Sequence, residues 1–539
     1  MPRVRPGETL TTPGSPADLS VGAFSDHPPW LITPEDLPWR VGLDVVRESV
    51  RAAVPRLVRR RRFPPWRRML RVSVVLGWAV AGWWLVDRRK GQPRSLAGLA
   101  YRLRLAFQRL GPTFIKLGQI LSSGEGIFPP ELVGEFKLLR DRVPAESFAA
   151  VRECVEAELG CTLEELFIEF SPEPVAAASI AQVHRARLHT GEDVVVKVQR
   201  PRVAARVRDD LAAMSFLAPH LVGRIPAAVL ANPPALIELF AETIVEELDF
   251  RLEAESMLDV AAAVAAAGQR TLVVPRPHSR LVAPRVLVME RLDGFAWDDV
   301  ASMRDAGIAT EKVMRATIVA FLEGVMLFGV FHGDLHGGNL LVLPDGRVAL
   351  LDFGITGRLD EHHRMAFLRL VMGATMNDAR GEVVALRDLG ALAADADVDR
   401  MVVALGLDAP PQELAEMSAE ELSRQMRELT KHLLANGAKL PKELMLFVKN
   451  ILFLDGVVAV FAPDVDLLGE VVEVAGYFAS RHGEQIAREI GVDPALAGVD
   501  LDGVRAAIGV AAGTEKLSYR ELQARREAVR RKLGNSGGS

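Results

Sequence analysis

The most informative segment of this 539-residue chain is FHGDLHGGNLLVLPDGRVALLDFGITGRL, residues 331–359. Two short apolar runs around a Pro-Asp-Gly turn predict a β-hairpin in its middle. Three polar residues, Asp334, Asn339 and Asp352, stand in or directly beside these runs. Burying such groups is costly unless they pair with a cation or hold a metal. The chain must therefore bring positive charge to this hairpin.

The spacing of the three residues is that of a kinase catalytic loop followed by a DFG segment. Asp334 and Asn339 enclose four residues, and Asp352 follows the hairpin directly before Phe-Gly. In phosphoryl transfer, Mg²⁺ neutralises the charge of the triphosphate, and amide and carboxylate oxygens suit it as ligands. The pattern predicts that Asp334 is the catalytic residue that orients or deprotonates the acceptor. Asn339 and Asp352 are predicted to bind magnesium.

A lysine that reaches the phosphates is also needed, and Lys197 is the candidate. It lies in the alternating segment VVVKVQRP, residues 194–201, after a Gly-Glu-Asp turn. The candidates for its acidic partner are in a single helical segment: Glu247, Asp249, Glu253 and Glu255. Asp249 and Glu253 share a helical face, but the spacing alone leaves the partner undecided.

The segment that should cover the phosphates lacks the usual glycines. PVAAASIAQVHRA, residues 174–186, stands in this place, shortly before Lys197. Alanine restricts the backbone torsions that glycine leaves free, so we expect a stiff loop. The residues predicted to contact the nucleotide here are Val175, Ala176, Ala177, Ala178, Ser179, Ile180, Ala181, Gln182 and Val183.

The composition limits the class of protein. A hydrophobic content of 49% and a charged content of 25% fit a globular protein with a substantial core. The net charge of −5 gives no reason to expect a nucleic-acid partner. The only cysteines, Cys154 and Cys161, argue against a disulfide framework and for a cytosolic compartment.

The N-terminal region combines clustered arginines with tryptophans. Between Arg59 and Arg71 the chain is strongly basic, and VSVVLGWAVAGWWLV, residues 72–86, follows without a charge. As a helix this run reaches about 22 Å, short of the roughly 30 Å hydrocarbon core of a bilayer. We expect an anchor in the membrane interface. A helix buried against the domain and a single membrane span are the alternatives.

A second apolar run, residues 444–461, is interrupted by Lys449, Asn450 and Asp455 and is expected to be a core helix. Strand-like patterns near 170–176, 181–187, 193–199, 272–276 and 285–290 precede a mostly helical remainder. This order predicts an α+β fold with a small sheet-based lobe on a larger helical lobe.

Six segments together resemble the UbiB/AarF family of atypical kinases, which is associated with quinone lipid metabolism. They are LGPTFIKLGQILS (110–122), AAASIAQVHRA (176–186), VVVKVQRP (194–201), ELDFRLEAE (247–255), HGDLHGGNLLV (332–342) and LLDFG (350–354). The resemblance covers about residues 96–465. It implies a bilobal protein kinase-like fold with a β-sheet N-lobe, a larger helical C-lobe and an N-terminal helical extension bearing a K-x-G-Q motif.

The resemblance assigns roles to the extension. Lys116 and Gln119 match the pair that enters the nucleotide site and obstructs a peptide substrate, with Lys116 near the phosphates. Glu247 and Asp249 match the E-x-D element that partners the extension.

The resemblance also assigns roles in the lobes. Glu253 matches the helix glutamate that pairs with Lys197, and Asp334 matches the catalytic aspartate. Met289 and Glu290 match the hinge, where main-chain groups hold the adenine.

The expected organisation divides the chain into six parts. They are a disordered tail (1–40), a basic, Trp-rich membrane-proximal segment (41–95), the helical extension (96–168), the N-lobe (169–290), the C-lobe (291–465) and C-terminal helices with a tail (466–539).

The resemblance implies an atypical kinase or ATPase that uses ATP or ADP with Mg²⁺ and supports isoprenoid quinone biosynthesis or lipid homeostasis. Its expected place is the cytoplasmic face of the membrane, with membrane lipids, quinone precursors and quinone-biosynthesis enzymes as partners. The oligomeric state, including a homodimer, stays open. The alternatives are a small-molecule phosphotransferase of the aminoglycoside or choline kinase type and a non-catalytic scaffold that binds nucleotide and lipid.

Overall fold

The fold, seen in a computed structural model, is α+β and bilobal, as predicted. The structure describes residues 24–25, 30, 32, 37–59, 65–91, 94–122, 129–139, 145–220, 233–376, 378–404, 441–490 and 516–535. A five-stranded sheet forms the N-lobe, and helices with two small sheets form the C-lobe.

A helical extension precedes the N-lobe. Its helices are α1 (Leu43–Leu57), α2 (Trp66–Gly82), α3 (Arg94–Leu110), α4 (Pro112–Ser122), α5 (Pro130–Lys137), α6 (Phe148–Leu159) and α7 (Leu163–Leu166). Gly111 separates α3 from α4 because it adopts a positive φ of 104°, and Pro112 then starts the next helix. The last part of the extension predicted to be helical forms two helices and the start of a strand. Gly160 ends α6 in the left-handed conformation, and a capping box at Thr162 starts α7.

The N-lobe sheet is antiparallel throughout, in the order β1-β2-β3-β6-β5. Its strands are β1 (Phe167–Ala177), β2 (Ala181–Leu188), β3 (Asp193–Gln199), β5 (Pro277–Ala283) and β6 (Val286–Glu290). The accompanying helices are α8 (Val203–Leu217), α9 (Pro233–Glu246) and α10 (Phe250–Ala266). Asp249 accepts a hydrogen bond from the Arg251 amide and caps α10, which packs against β5 and β6.

The C-lobe contains the segment 331–359 in two small sheets. One has the order β4-β10-β9-β7, with β4 (Leu272–Val273), β7 (Phe295–Ala296), β9 (Leu340–Val342) and β10 (Val348–Leu350). The other pairs β8 (Val330–His332) with β11 (Thr356–Arg358). The predicted hairpin is confirmed by antiparallel pairing of β9 with β10.

Helices make up the rest of the C-lobe. They are α11 (Val300–Asp305), α12 (Thr310–Glu323), α13 (Glu361–Met376), α14 (Ala379–Asp388), α15 (Val398–Ala404), α16 (Lys442–Phe461), α17 (Leu467–Ile490) and α18 (Tyr519–Asn535). Helix α16 is the predicted core helix: Leu446, Leu454 and Phe461 are buried, and its Asp455 pairs with Arg526 of α18.

Part of the tail predicted to be disordered is packed. Phe24 is completely buried beneath the Arg276 guanidinium, and the Trp30 indole donates to the Pro277 carbonyl at 2.9 Å. Leu37 and Trp39 are buried as well. The prediction of disorder was based on the Pro- and Gly-rich composition, which did not reveal that these few apolar residues pack against the protein. The remaining residues of the predicted tail lie outside the described part of the chain.

Helix α2 presents an apolar stripe to the outside. It continues through further helical turns to Lys90, and only 11% of its most apolar window is buried. Val72 and Ala79 face the protein, whereas Trp66, Trp78 and Leu85 are 67%, 73% and 69% exposed. By length and composition, both this helix and α16 are long enough to cross a membrane. The exposure of α2 argues against the alternative that this segment is a helix buried against the domain.

The glycine of the K-x-G-Q motif is required by close packing. A Cβ on Gly118 would lie 2.2 Å from Leu139 Cδ1 and 3.2 Å from the Phe107 ring. We expect Gly118→Ala to lower the free energy of unfolding by about 1–3 kcal/mol through overpacking. Thermal and urea unfolding measure this change.

The matched control is Gly134→Ala in α5, where a Cβ would meet nothing within 4 Å. Because alanine has the higher helix propensity, this variant should be more stable by about 0.5–1 kcal/mol. Equal effects of both substitutions would contradict the packing argument.

Candidate active site

Pairing of two short strands brings the two aspartates together. Asp334 follows β8 and Asp352 precedes β11, and His332 of β8 lies opposite Thr356 of β11. The two backbone segments approach each other closely here. A Cβ on Gly333 would lie only 2.9 Å from Ile355 Cγ2. Asp352 adopts a left-handed φ of 58°, which is rare for a residue other than glycine and concentrates at functional sites.

Lys197 joins the N-lobe to this C-lobe segment. Its Nζ lies 2.7 Å from Glu253 Oε1 and 2.9 Å from Asp352 Oδ1. The structure therefore selects Glu253, on α10, among the four acidic candidates. Burial alone lowers the pKa of Lys197, but the charges of Asp352 and Glu253 outweigh it and hold the pKa above its ordinary value. The lysine stays charged.

Lys116 brings a second cation from the extension. Its Nζ lies 2.9 Å from Glu247 Oε1; Glu247 is buried and Lys116 is nearly so. Burial lowers the pKa of Lys116, but Glu247, Asp334 and Asp352 together raise it above its ordinary value. This is the pairing between extension and E-x-D element that the family resemblance implies.

Lys449 brings a third cation, which sequence reasoning missed. This residue of α16 forms an ion pair with Asp334 Oδ1. Burial would raise the pKa of Asp334, but Lys449 and Lys116 hold it well below its usual range. Asn450, the next residue, is completely buried and bonded to the catalytic loop on both sides of Asp334. The only signal in the sequence was that polar residues interrupt an apolar helix.

The predicted metal ligands suit magnesium. The Asn339 amide nitrogen donates to the Asp334 carbonyl at 3.0 Å, so the amide oxygen is the atom left to face a metal. Burial raises the pKa of Asp352, but Lys197 and Lys116 hold it well below its usual range, so the carboxylate is ionised. Within the described residues, no group of three or more His, Cys, Asp and Glu side chains gathers as a metal cluster. Sparse oxygen ligands are typical of magnesium, which keeps waters and phosphate oxygens.

The alanine loop is held by Arg200. Its guanidinium donates to the Ala178 carbonyl and pairs with Glu146, both at 3.0 Å, and its amide donates to the Ile180 carbonyl at 2.9 Å. No residue from 175 to 183 adopts a positive φ. These contacts agree with the stiffness expected from the alanines.

Two neighbouring residues of β2 that were predicted to contact the nucleotide, Gln182 and Val183, lie on opposite faces of the sheet. Val183 pairs with Lys197 across the sheet, so the two side chains share a face. Gln182 is on the opposite face, where its amide oxygen accepts from the Glu146 amide and its nitrogen bonds His184. Gln182 therefore does not face the nucleotide side, in contrast to the prediction, because side chains alternate along a strand.

Two further predicted residues, Asp249 and Gln119, have other contacts. Asp249 caps α10 and pairs with Arg251, so Glu247 alone of the E-x-D element reaches the extension. Gln119 donates to the Leu139 carbonyl at 3.1 Å and braces the extension internally.

The Glu290 carboxylate is directed to the N-terminal segment, where Ser25 and the Arg276 amide donate to it. Any adenine contact at Met289 and Glu290 would involve main-chain groups, and this stays a prediction.

Comparison with known proteins identifies the family. Residues 138–385 match the model of the ABC1 atypical kinase-like domain. A probable protein kinase UbiB of Aeromonas hydrophila is 31% identical over 412 residues, covering 75% of this chain and 73% of the relative. The protein belongs to the ABC1 family of UbiB/AarF-type atypical kinases. An uncharacterized protein of Mycobacterium tuberculosis is 37% identical, and the match covers 69% of this chain and 77% of the relative.

Among solved structures, a Mycobacterium tuberculosis protein in complex with erythromycin covers 64% of this ABC1-family chain, at 22% identity and a TM-score of 0.38. Membership in the ABC1 family supports a kinase-like function.

The pair of Lys116 and Glu247 should matter for stability. We expect Lys116→Met to lower the free energy of unfolding by about 3–5 kcal/mol, because Glu247 is left buried beside Asp352 without a cation. Chemical denaturation without nucleotide measures this effect.

The control is the double variant Lys116→Met/Glu247→Gln, which also removes the stranded charge. It should recover a large part of the loss, giving a coupling energy well above zero in the double-mutant cycle. A single variant as stable as the wild type would show that the pair carries no net stabilisation.

Proposed function

We propose that this protein is an ATP- and Mg²⁺-dependent atypical kinase or ATPase of the UbiB type. The observation that carries the proposal is the convergence of Lys197, Glu253 and Asp352 across the two lobes beside Asp334 and Asn339. A triphosphate needs a lysine on one side and a metal on the other, and this arrangement supplies groups for both.

Each residue has a defined task in this proposal. Lys197, held by Glu253, binds the α- and β-phosphates, and Asp334 orients the acceptor oxygen toward the γ-phosphorus. Asp352 and Asn339 hold Mg²⁺, which neutralises the phosphate charge when it is bound. Since the pKa of Asp334 lies well below its usual range, Asp334 acts mainly by orientation, which suits the loose transition state of phosphoryl transfer.

The acceptor is proposed to be water or a small molecule. Helix α4 delivers Lys116 to the cleft, where its charge acts on Asp334 and Asp352. A polypeptide acceptor would have to displace this helix and separate Lys116 from Glu247. A lipid or quinone precursor is the small acceptor that the family resemblance suggests, with quinone-biosynthesis enzymes as partners. Quinone biosynthesis or lipid homeostasis is therefore the proposed context.

The cytoplasmic membrane face is the proposed location, and the stripe on α2 supports it. Exposed Trp66, Trp78 and Leu85 lie on one side of a helix that is flanked by arginines. The other side packs on α3 and is tied to the protein by ion pairs of Arg68 with Asp210 and of Arg102 with Asp87. A helix held in this way suits an interfacial position.

ATP turnover tests the enzymatic proposal. We expect Asp334→Asn to lower turnover by about 10²–10⁴-fold because the acceptor loses its positioning group. Asp305→Asn, at an exposed aspartate of the same lobe, is the control and should turn over as the wild type. ADP release with purified protein and liposomes measures the rate.

Binding is read from the same samples. Mg-nucleotide at about 100 times its dissociation constant should raise the wild-type free energy of unfolding by about 2.7 kcal/mol. Chelation of magnesium, or Asp352→Asn, should remove most of this gain. Binding without turnover dependent on Asp334 would favour the regulatory scaffold, whereas strong stimulation by an aminoglycoside or choline would favour the small-molecule phosphotransferase.

Vesicle flotation tests the membrane proposal. The triple variant Trp66→Gln, Trp78→Gln, Leu85→Gln should bind anionic vesicles at least about tenfold less, because a fully buried apolar side chain contributes about 1.5–3 kcal/mol. The folded state is checked by circular dichroism.

The control for flotation replaces exposed apolar residues elsewhere: Leu138→Gln, Ile168→Gln, Val472→Gln. It should float as the wild type. Equal loss in both triple variants, or no loss in either, would rule out the α2 stripe as the docking surface.

A further inference from the structure

Helix α16 is fastened to the catalytic loop by Asn450. Its side-chain nitrogen donates to the His332 carbonyl at 2.6 Å, and its oxygen accepts from the Leu335 amide at 3.0 Å. These two backbone groups lie on either side of Asp334, and Asn450 is completely buried. The register of α16 relative to Asp334 is thereby fixed, since a buried amide with both ends bonded has little freedom.

This register places Lys449 on Asp334. The Lys449 Nζ forms an ion pair with Asp334 Oδ1, and both side chains are mostly buried. The loop between Asp334 and Asn339 contains no lysine or arginine of its own. His336 is its one basic residue, 4.0 Å from Asp334 Oδ2 and 46% exposed. A permanent cation therefore reaches this end of the site only from outside the loop.

The position of Lys449 differs from that of the other two lysines. Lys197 contacts Glu253 and Asp352, and Lys116 contacts Glu247. Of the three lysines, Lys449 forms its ion pair with Asp334, the residue proposed to orient the acceptor. In-line transfer places the γ-phosphoryl group between the acceptor oxygen and ADP. A cation bonded to Asp334 lies beside the equatorial oxygens, on which negative charge spreads in the transition state.

We propose that Lys449 is a catalytic residue that binds the phosphoryl group during transfer, supplied by α16 instead of by the catalytic loop. This inference rests on the proposed function. The acceptor oxygen forms a bond to the γ-phosphorus, and the bond from phosphorus to the ADP oxygen breaks with its electron pair on ADP. The proton of the acceptor leaves to solvent as the new bond forms, while Asp334 keeps the acceptor oriented. Lys449 keeps its protons and contributes charge only.

The test compares Lys449→Gln with Lys449→Arg. Glutamine keeps a hydrogen-bond donor for Asp334 without a charge, whereas arginine keeps the charge. We expect the glutamine variant to bind Mg-ADP within about threefold of the wild type and to turn ATP over about 10²–10³-fold more slowly, as for loss of one transition-state donor. The arginine variant should keep more of the rate than the glutamine variant. Lys312→Gln, at an exposed lysine of α12, is the matched control and should behave as the wild type.

The pH dependence gives a second readout. In the wild type, Lys449 and Lys116 hold the pKa of Asp334 well below its usual range, so Asp334 stays ionised as the pH falls toward 5. Without the charge of Lys449, burial raises the pKa of Asp334, and only Lys116 and the half-exposed His336 oppose it. The acid limb of the pH–rate profile should therefore move to higher pH in Lys449→Gln, but not in Lys312→Gln.

Each contrary result has a distinct meaning. A folded Lys449→Gln variant that turns over at the wild-type rate would falsify the inference and leave the proposed function intact. A Lys449→Gln variant that turns ATP over faster than the wild type would mean that Lys449 inhibits the reaction, and this too would overturn the inference. Should Lys449→Gln lose its fold, a stably folded Lys449→Arg variant that has no activity overturns it too. A wild type without any turnover removes the proposed function, and the inference with it.

Discussion

The structure depends on cations that come from separate elements to a group of carboxylates, of which Glu247 and Glu253 are buried and Asp334 and Asp352 are partly exposed. Glu247, Glu253, Asp334 and Asp352 lie together, and Lys116, Lys197 and Lys449 pair with them. Buried carboxylates without cations would be too costly to keep ionised. Because the three lysines come from α4, β3 and α16, the charge cluster joins the extension, the N-lobe and the C-lobe.

The extension connects the cleft to the outer surface. Helix α2 carries the exposed apolar stripe on one side and packs against α3 on the other. Only Gly111 separates α3 from α4, and α4 carries Lys116. Close contact of Gly118 with Leu139 and the bond from Gln119 to the Leu139 carbonyl hold α4 in place. The stripe and the cleft lysine therefore belong to one packed helical block.

Local contacts explain where the predicted site residues differ from their expected roles. Asp249 caps a helix because its short carboxylate accepts from the Arg251 amide in the first turn of α10. Gln182 turns from the cleft because it alternates with Val183 along β2. The Glu290 carboxylate accepts hydrogen bonds from the N-lobe amide of Arg276 and from Ser25, which lies in a segment whose composition predicted disorder. In each case, the contacts that a side chain makes in the folded protein differ from those that the motif alone suggested.

The sequence by itself determined the fold class, the hairpin between Asp334 and Asp352 and the candidate lysine Lys197. These follow from spacing within short, contiguous segments, where strand and turn chemistry fixes which residues meet. Only the tertiary structure decided which acid pairs with Lys197, how much of α2 is exposed, and that Lys449 and Asn450 reach the catalytic loop. Such contacts join residues that are far apart in the chain, as Lys449 and Asp334 are. They depend on how whole elements pack, and no local pattern records that.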